Sequence, residues 1–109
     1  EQIYKALSNS LYTVCARHNE EAVGMGRLVG DGAYVYYLQN INVDPKYQGK
    51  GIGRMIIDNL IKYIEENKIP DTLVMILLMS SKGSEEFYEK FGFRRRPNDN
   101  EGCGMIMNL

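Results

Sequence analysis

Residues 48 to 54 read Gln48-Gly49-Lys50-Gly51-Ile52-Gly53-Arg54, with Lys46 two positions ahead. Glycines at alternate positions let a backbone turn sharply and approach a ligand closely. If this segment opens a helix, the first helical amides have no partner within the helix, and the helix dipole adds partial positive charge there. A phosphate group is the ligand such a place favours. Lys46, Lys50 and Arg54 make the local field positive, although the whole chain carries a net charge of only -1. The spacing excludes two familiar phosphate loops. A dinucleotide fingerprint needs glycine or alanine where Arg54 stands, and a Walker A loop needs Gly-Lys-Ser/Thr after its spacer. On the glycines alone, a connection that merely caps a helix explains the segment equally well.

Other chemistries find less support. His18 is the single histidine, and no cysteine or histidine stands at ligand spacing from it, so no metal site is expected. No Gly-x-Ser-x-Gly elbow is present for a serine nucleophile. Cys15 and Cys103 lie far apart and outside any Cys-x-x-Cys pair, which suits reduced thiols in a cytoplasmic protein. The length of 109 residues suits one domain, and 44% hydrophobic with 25% charged residues is a globular balance. The near-neutral charge gives no global field for nucleic acid. No apolar run approaches the ~20 residues that span a bilayer, and the start carries no signal-peptide pattern.

The elements that must position the glycine-rich segment follow from periodicity. Ile3, Ala6 and Leu7 predict a short helix over residues 2–8. Strands are expected over 11–17 and 22–29, joined by a polar turn at 18–21. A third strand is expected over 33–43. Its apolar positions change parity near Gln39-Asn40, from Tyr34, Tyr36 and Leu38 to Ile41 and Val43, as a β-bulge would produce. After Asp44-Pro45 an amphipathic helix is expected over 51–66, stopped by Asn67 and Pro70. The apolar run 72–79 predicts a strand buried on both faces. A short helix over 84–91 with Gly92 as a left-handed cap, and strands over 93–95 and 104–108, complete the chain. The expected class is α+β, a mixed α/β sheet that is mostly antiparallel. The strand–helix–strand crossover makes its third and fourth strands parallel.

The flanks of the glycine segment carry a family resemblance. Ile41-Asn42-Val43-Asp44-Pro45-Lys46-Tyr47-Gln48-Gly49-Lys50-Gly51-Ile52-Gly53-Arg54 is similar to the acetyl-CoA segment of GNAT N-acetyltransferases, whose pattern is Gln/Arg-x-x-Gly-x-Gly/Ala after a strand ending Val-x-Pro. Phe87-Tyr88-Glu89-Lys90-Phe91-Gly92-Phe93 resembles the second signature of that family. The resemblance covers residues 11–109 in element order.

The resemblance implies the acyl-CoA N-acyltransferase fold, with helices flanking a sheet in which two parallel strands splay apart. It implies acetyl-CoA as co-substrate, a primary amine as acceptor, direct attack through a ternary complex, and no metal. Backbone of Ile41 and Val43 would line the pantetheine arm, both also serving as core packing. The amides from Gln48 through Gly49, Lys50, Gly51, Ile52 and Gly53 to Arg54 would hold the pyrophosphate, and Ser81 would make a further cofactor contact. The Val43 N–H would polarise the thioester carbonyl, and the Tyr88 phenol would protonate the leaving thiolate. Many relatives carry a glutamate on the third core strand, where this chain has Tyr37-Leu38-Gln39-Asn40 without a carboxylate. A non-catalytic acyl-CoA-binding module of the same fold is therefore the alternative.

A small-molecule amine is the expected acceptor, since nothing marks an extended peptide groove. Small members of the family often pair, so a homodimer is expected. The family also has a strand and helices ahead of the first meander strand, where this sequence shows only the helix over 2–8. The region 1–109 is thus read as a single domain lacking an N-terminal strand and helix. Tyr34, Tyr36 and Tyr37 suit either an acceptor pocket or sheet packing. Arg94-Arg95-Arg96 suits either solvent or an acidic partner, and Cys103 sits in a glycine turn.

Overall fold

The computed structural model describes residues 1–109. They form two compact units, residues 1–78 and 79–109.

The first unit is built on an antiparallel hairpin. Strands β1 (Tyr12–His18) and β2 (Glu21–Gly30) meet through Asn19 and Glu20. Both turn residues have positive φ, 48° and 70°, as in a two-residue turn whose twist matches the strands. Beyond Gly30 the Asp31 carboxylate accepts the amides of Ala33, Tyr34 and Val35 at 2.8–3.0 Å, which lowers its pKa and fixes the start of β3 (Val35–Val43). The third strand thus begins two residues later than expected.

The expected bulge is present. Met25 pairs with Asn42 and Arg27 with Gln39, so Asn40 and Ile41 together face the single residue Gly26. Asn40 adopts φ 54°, the left-handed region that Asn tolerates better than most residues. Before the bulge Tyr36 and Leu38 are buried, and after it Ile41 lies at the same face, against Gly26.

A short 3-10 turn, Pro45–Tyr47, leads to helix α2 (Ile52–Asn67). Ile56, Ile57, Leu60 and Ile64 recur at three- and four-residue steps and are buried against the sheet. Gly26 permits this close packing: a β-carbon there would lie 2.7 Å from both Ile41 Cδ1 and Ile56 Cγ2. Tyr12 and Tyr63 stack at 4.2 Å and 8°, and the Tyr12 hydroxyl donates to Asn59 Oδ1 at 2.9 Å, which fastens β1 to α2. Strand β4 (Met75–Leu77) then pairs parallel with β3, and the sheet order is β1-β2-β3-β4. The sheet is mixed and flanked by helices, as expected.

Helix α1 (Gln2–Ser8) buries no residue. Its last turn is reached by the Arg27 guanidinium, whose Nη1 donates to Ser10 Oγ at 3.1 Å and Ala6 O at 3.5 Å. The same side chain donates from Nε to Asn40 Oδ1 at 2.7 Å. One cation thereby links the helix end to the bulge, a sign of charge that suits a helix C-terminus.

Strand β4 corrects the expectation for residues 72–79. Only three residues pair, and Leu73 is 96% and Met75 52% exposed. A continuous apolar run implies burial on both faces only where both faces are covered, and β4 is an edge strand.

In the unit 79–109, helix α3 (Glu85–Glu89) is shorter than the expected 84–91. Phe91 N–H bonds Tyr88 O and Gly92 N–H bonds Glu89 O, both at 3.0 Å, and Gly92 has the expected positive φ, 99°. Neither residues 93–95 nor 104–108 form a strand. Side-chain bonds close residues 94–102 on themselves instead. Arg94 grips Glu101 with two bonds of 2.7 Å, Arg95 donates to Glu89 at 2.8 Å, and Arg96 donates to Gly102 O at 2.7 Å. Asn98 adds bonds to Arg95 O and Glu101, a local alternative to ladder pairing. Each of the three arginine side chains thus makes at least one bond within the unit.

Candidate functional site

The glycine-rich segment lies between the end of β3 and the start of α2, where the crossover requires the chain to leave the sheet. Asp44 organises the exit. Its N–H donates to Val23 O at 2.7 Å, its carboxylate accepts the Lys46 N–H at 2.9 Å, and its carbonyl accepts the Tyr47 N–H at 2.8 Å. The Gln48 side chain turns back and donates to Val43 O at 3.1 Å, a role that spacing did not reveal.

Gly49 and Gly51 then take φ 77° and 84°, a region where an L side chain is strained. An added β-carbon at either would meet no atom within 4 Å, so backbone conformation rather than crowding selects glycine there. Gly51 is the N-cap of α2, and the first helical bond runs from Met55 N–H to Gly51 O at 3.1 Å. The amides of Ile52 and Gly53, ahead of that bond, have no acceptor in the helix. Open space, positive φ and unspent donors at a helix start fit a phosphate group. Lys50 is exposed beside them, with Nζ 5.5 Å over the Tyr47 ring. Arg54 Nε lies 4.0 Å from Asp58 Oδ2 on the exposed side of the helix.

The other expected partner is the free edge of β3. The parallel ladder with β4 covers Val35 to Tyr37 against Met75 to Leu77 and goes no further, while β3 continues to Val43. The two parallel strands have parted by the level of the bulge. Amides alternate in direction along a strand. Because Asp44 N–H points to Val23 on β2, Val43 N–H faces the opposite edge, where β4 no longer pairs. Ile41 and Val43 are half-buried there.

The structure therefore brings Ile41, Val43 and residues 48 to 54 together in the unit 1–78. Ser81 and Tyr88 belong to the unit 79–109. Ser81 is exposed, and its carbonyl accepts from Ser84 N–H at 3.0 Å and Ser80 Oγ at 2.8 Å. Tyr88 is half-buried, edge-on to Phe87 at 5.1 Å and Phe93 at 6.1 Å. Burial pushes its phenol above the ordinary value, so it keeps its proton throughout the neutral range. The tyrosines expected on the third strand divide: Tyr36 is core and donates to Gly32 O at 3.0 Å, whereas Tyr34 precedes β3 and is exposed. No group of three or more metal-binding side chains exists. No helix is long and apolar enough to cross a membrane.

Comparison with known proteins gives a consistent result. The profile of the Acetyltransferase (GNAT) domain matches residues 1–107. A "probable acetyltransferase TAP2" of Glycine max is 32% identical over 109 residues, an alignment covering 89% of this chain and 42% of that protein. The chain thus spans about two fifths of the length of the curated relatives it matches first. Among solved structures, a probable acetyltransferase of methicillin-resistant Staphylococcus aureus superposes with TM-score 0.83 at 31% identity, covering 99% of this chain and 78% of that one. A GNAT family acetyltransferase from Elizabethkingia anophelis, solved with acetyl-CoA bound, superposes with TM-score 0.70 at 25% identity over 88% of this chain and 61% of its own. Together with the parted parallel strands and the glycine turn that opens α2, the profile match places this chain in the GNAT acetyltransferase family.

Proposed function

We propose that this protein transfers an acetyl group from acetyl-CoA to a primary amine of a small molecule, by direct attack within a ternary complex. The observation that carries the reading is the free edge of β3 running into a glycine turn with unspent amides. In this reading the backbone from Gln48 to Arg54 holds the pyrophosphate, Ile41 and Val43 hold the pantetheine arm by main-chain bonds, and Ser81 adds a cofactor contact. Bound acetyl-CoA supplies an activated thioester.

The neutral amine attacks the carbonyl carbon, forming the C–N bond and a tetrahedral oxyanion. Val43 N–H stabilises that charge. The intermediate collapses with cleavage of the C–S bond. The thiolate takes a proton from Tyr88, the nitrogen loses its extra proton to solvent, and solvent returns a proton to the Tyr88 phenolate. The products are an amide and CoA. Residues 37 to 40 contain no carboxylate, so proton removal runs through water rather than a side chain of that strand. We read the acetyltransferase as one domain over 1–109, cytoplasmic and homodimeric.

Calorimetric titration with acetyl-CoA, with NADH and ATP as controls, tests the cofactor. Saturable binding of acetyl-CoA alone is expected, and its absence in a folded chain overturns the assignment. Thiol release across a panel of small amines and lysine peptides tests the acceptor. Turnover confined to peptides would overturn the small-molecule assignment. Tight binding without turnover on any amine would favour a non-catalytic acyl-CoA-binding module.

A further inference from the structure

Beside the glycine turn sits a side-chain cluster that the mechanism above does not use. Tyr47 closes the 3-10 turn, and that turn is held rigid by Asp44 through the bonds to Lys46 N–H and Tyr47 N–H and through Asp44 N–H on Val23 O. From the tip of the β1–β2 hairpin, His18 reaches the same ring, with centroids 5.6 Å apart and planes tilted by 54°. His18 Nε2 lies 3.3 Å from Asn19 Nδ2, which orients the imidazole. Lys50 Nζ lies over the Tyr47 ring, 5.5 Å from its centroid. Tyr47 is half-buried, and His18, Lys46 and Lys50 are exposed.

We infer that Tyr47, braced by His18, is a stacking platform for an adenine base, and that Lys50 binds the phosphate on the attached ribose. Three features point this way. A tyrosine with an exposed ammonium over its face has that face open to solvent, and a weak cation–π contact there is readily exchanged for a base. A preorganised aromatic face binds bases by stacking without regard to hydrogen-bond pattern. The platform stands two residues ahead of Gly49, so a ligand whose pyrophosphate occupies the glycine turn carries its nucleotide end within reach. Lys50, displaced from the ring by the base, keeps a point charge for the ribose phosphate. The inference rests on the acetyl-CoA reading and assigns the other end of that molecule, the end that takes no part in the chemistry.

The test is calorimetric titration with three probes, CoA, dephospho-CoA and 4′-phosphopantetheine, on the wild type and on Tyr47→Ala, Tyr47→Trp and Lys50→Met. Tyr47→Ala should bind CoA about tenfold more weakly and bind 4′-phosphopantetheine as the wild type does. Tyr47→Trp should retain CoA affinity, a result that stands even if the alanine variant fails to fold. The wild type should prefer CoA to dephospho-CoA, and Lys50→Met should narrow that preference. CoA affinity unchanged in Tyr47→Ala, or lost together with 4′-phosphopantetheine affinity, would overturn the platform while leaving the acetyl-CoA reading intact. A folded wild type that binds no CoA would overturn both.

Discussion

Gly26→Ala should cost this protein stability even though alanine ordinarily favours folding over glycine. The new β-carbon would stand 2.7 Å from Ile41 Cδ1, 2.7 Å from Ile56 Cγ2 and 3.2 Å from Leu60 Cδ1. Ordinary carbon contacts begin near ~3.5 Å, so two of the three neighbours must yield by most of an ångström. Ile56 and Leu60 are 1% and 0% exposed and have nowhere to go. Overpacking of this kind costs about 1–3 kcal/mol, against which the stiffer unfolded chain returns about 0.4–1 kcal/mol. The expected net loss is about 1–2 kcal/mol, or roughly 5–15 °C in Tm for a domain of this size. Urea unfolding followed by circular dichroism measures it. Gly104→Ala is the control, since a β-carbon there meets nothing within 4 Å. It should leave stability unchanged or raise it by up to about 1 kcal/mol. The cheapest relief at Gly26 is rotation of half-buried Ile41, which lies in the bulge, so acetyl-CoA affinity should fall as well. A Gly26→Ala variant as stable as the wild type would refute the packing of α2 on the sheet described above.

Gly51→Glu should abolish acetyl-CoA binding in a titration while the circular dichroism spectrum stays native, because the site is open and the backbone strain is only about 1–2 kcal/mol; normal affinity would remove the glycine turn from the account. Tyr88→Phe should lower kcat on the order of 100-fold with little change in acetyl-CoA affinity, as read by thiol release. Since burial raises the Tyr88 pKa, kcat should show no alkaline fall from loss of its proton below about pH 10. Glu101 is held at about 2 by the Arg94 guanidinium and Asn98, below its ordinary 4.5. Its contribution to the fold is therefore complete above about pH 4.5 and is lost as pH falls through about 2. Carbon-detected NMR titration should find that carboxyl moving back towards 4.5 in Arg94→Met.

What was legible in the sequence shared one property: the signal was local and periodic. The β3 bulge could be read because its apolar residues change from even to odd positions at Gln39-Asn40, and the structure shifts register at that point. Helix α2 could be read because Ile56, Leu60 and Ile64 share one face. The glycine turn could be read because Gly49 and Gly51 need a conformation that few other residues accept. Features that join distant segments left no such trace. Arg27 reaches Asn40, Ser10 and Ala6, and no spacing rule links those positions. His18 meets Tyr47 only because a hairpin tip and a helix entry lie at one end of the sheet. The strand over 72–79 was overestimated for the opposite reason. Its apolar composition was plain, but burial depends on what covers it, and an edge position gives β4 fewer neighbours than its residues would accept. Residues 93–95 lie at the start of a stretch that arginine and asparagine bonds between residues 94 and 102 close into a loop, and residues 104–108 form no strand either.

The bulge at Asn40 also limits how this chain can change length. A strand has only two faces, so a surplus residue would exchange them for everything downstream unless a bulge absorbs it. Removing Asn40 would leave Ile41 alone opposite Gly26 and keep Gly24 opposite Val43, so Ile41 and Val43 would stay on the face of Leu38 and only the kink would be lost. Removing a second residue would exchange the faces, turn Ile41 and Val43 away from α2, and draw the Asp44 exit back by about 3.3 Å. Deletion of Asn40 should therefore leave the circular dichroism spectrum native, whereas deletion of Gln39 and Asn40 together should disrupt the sheet.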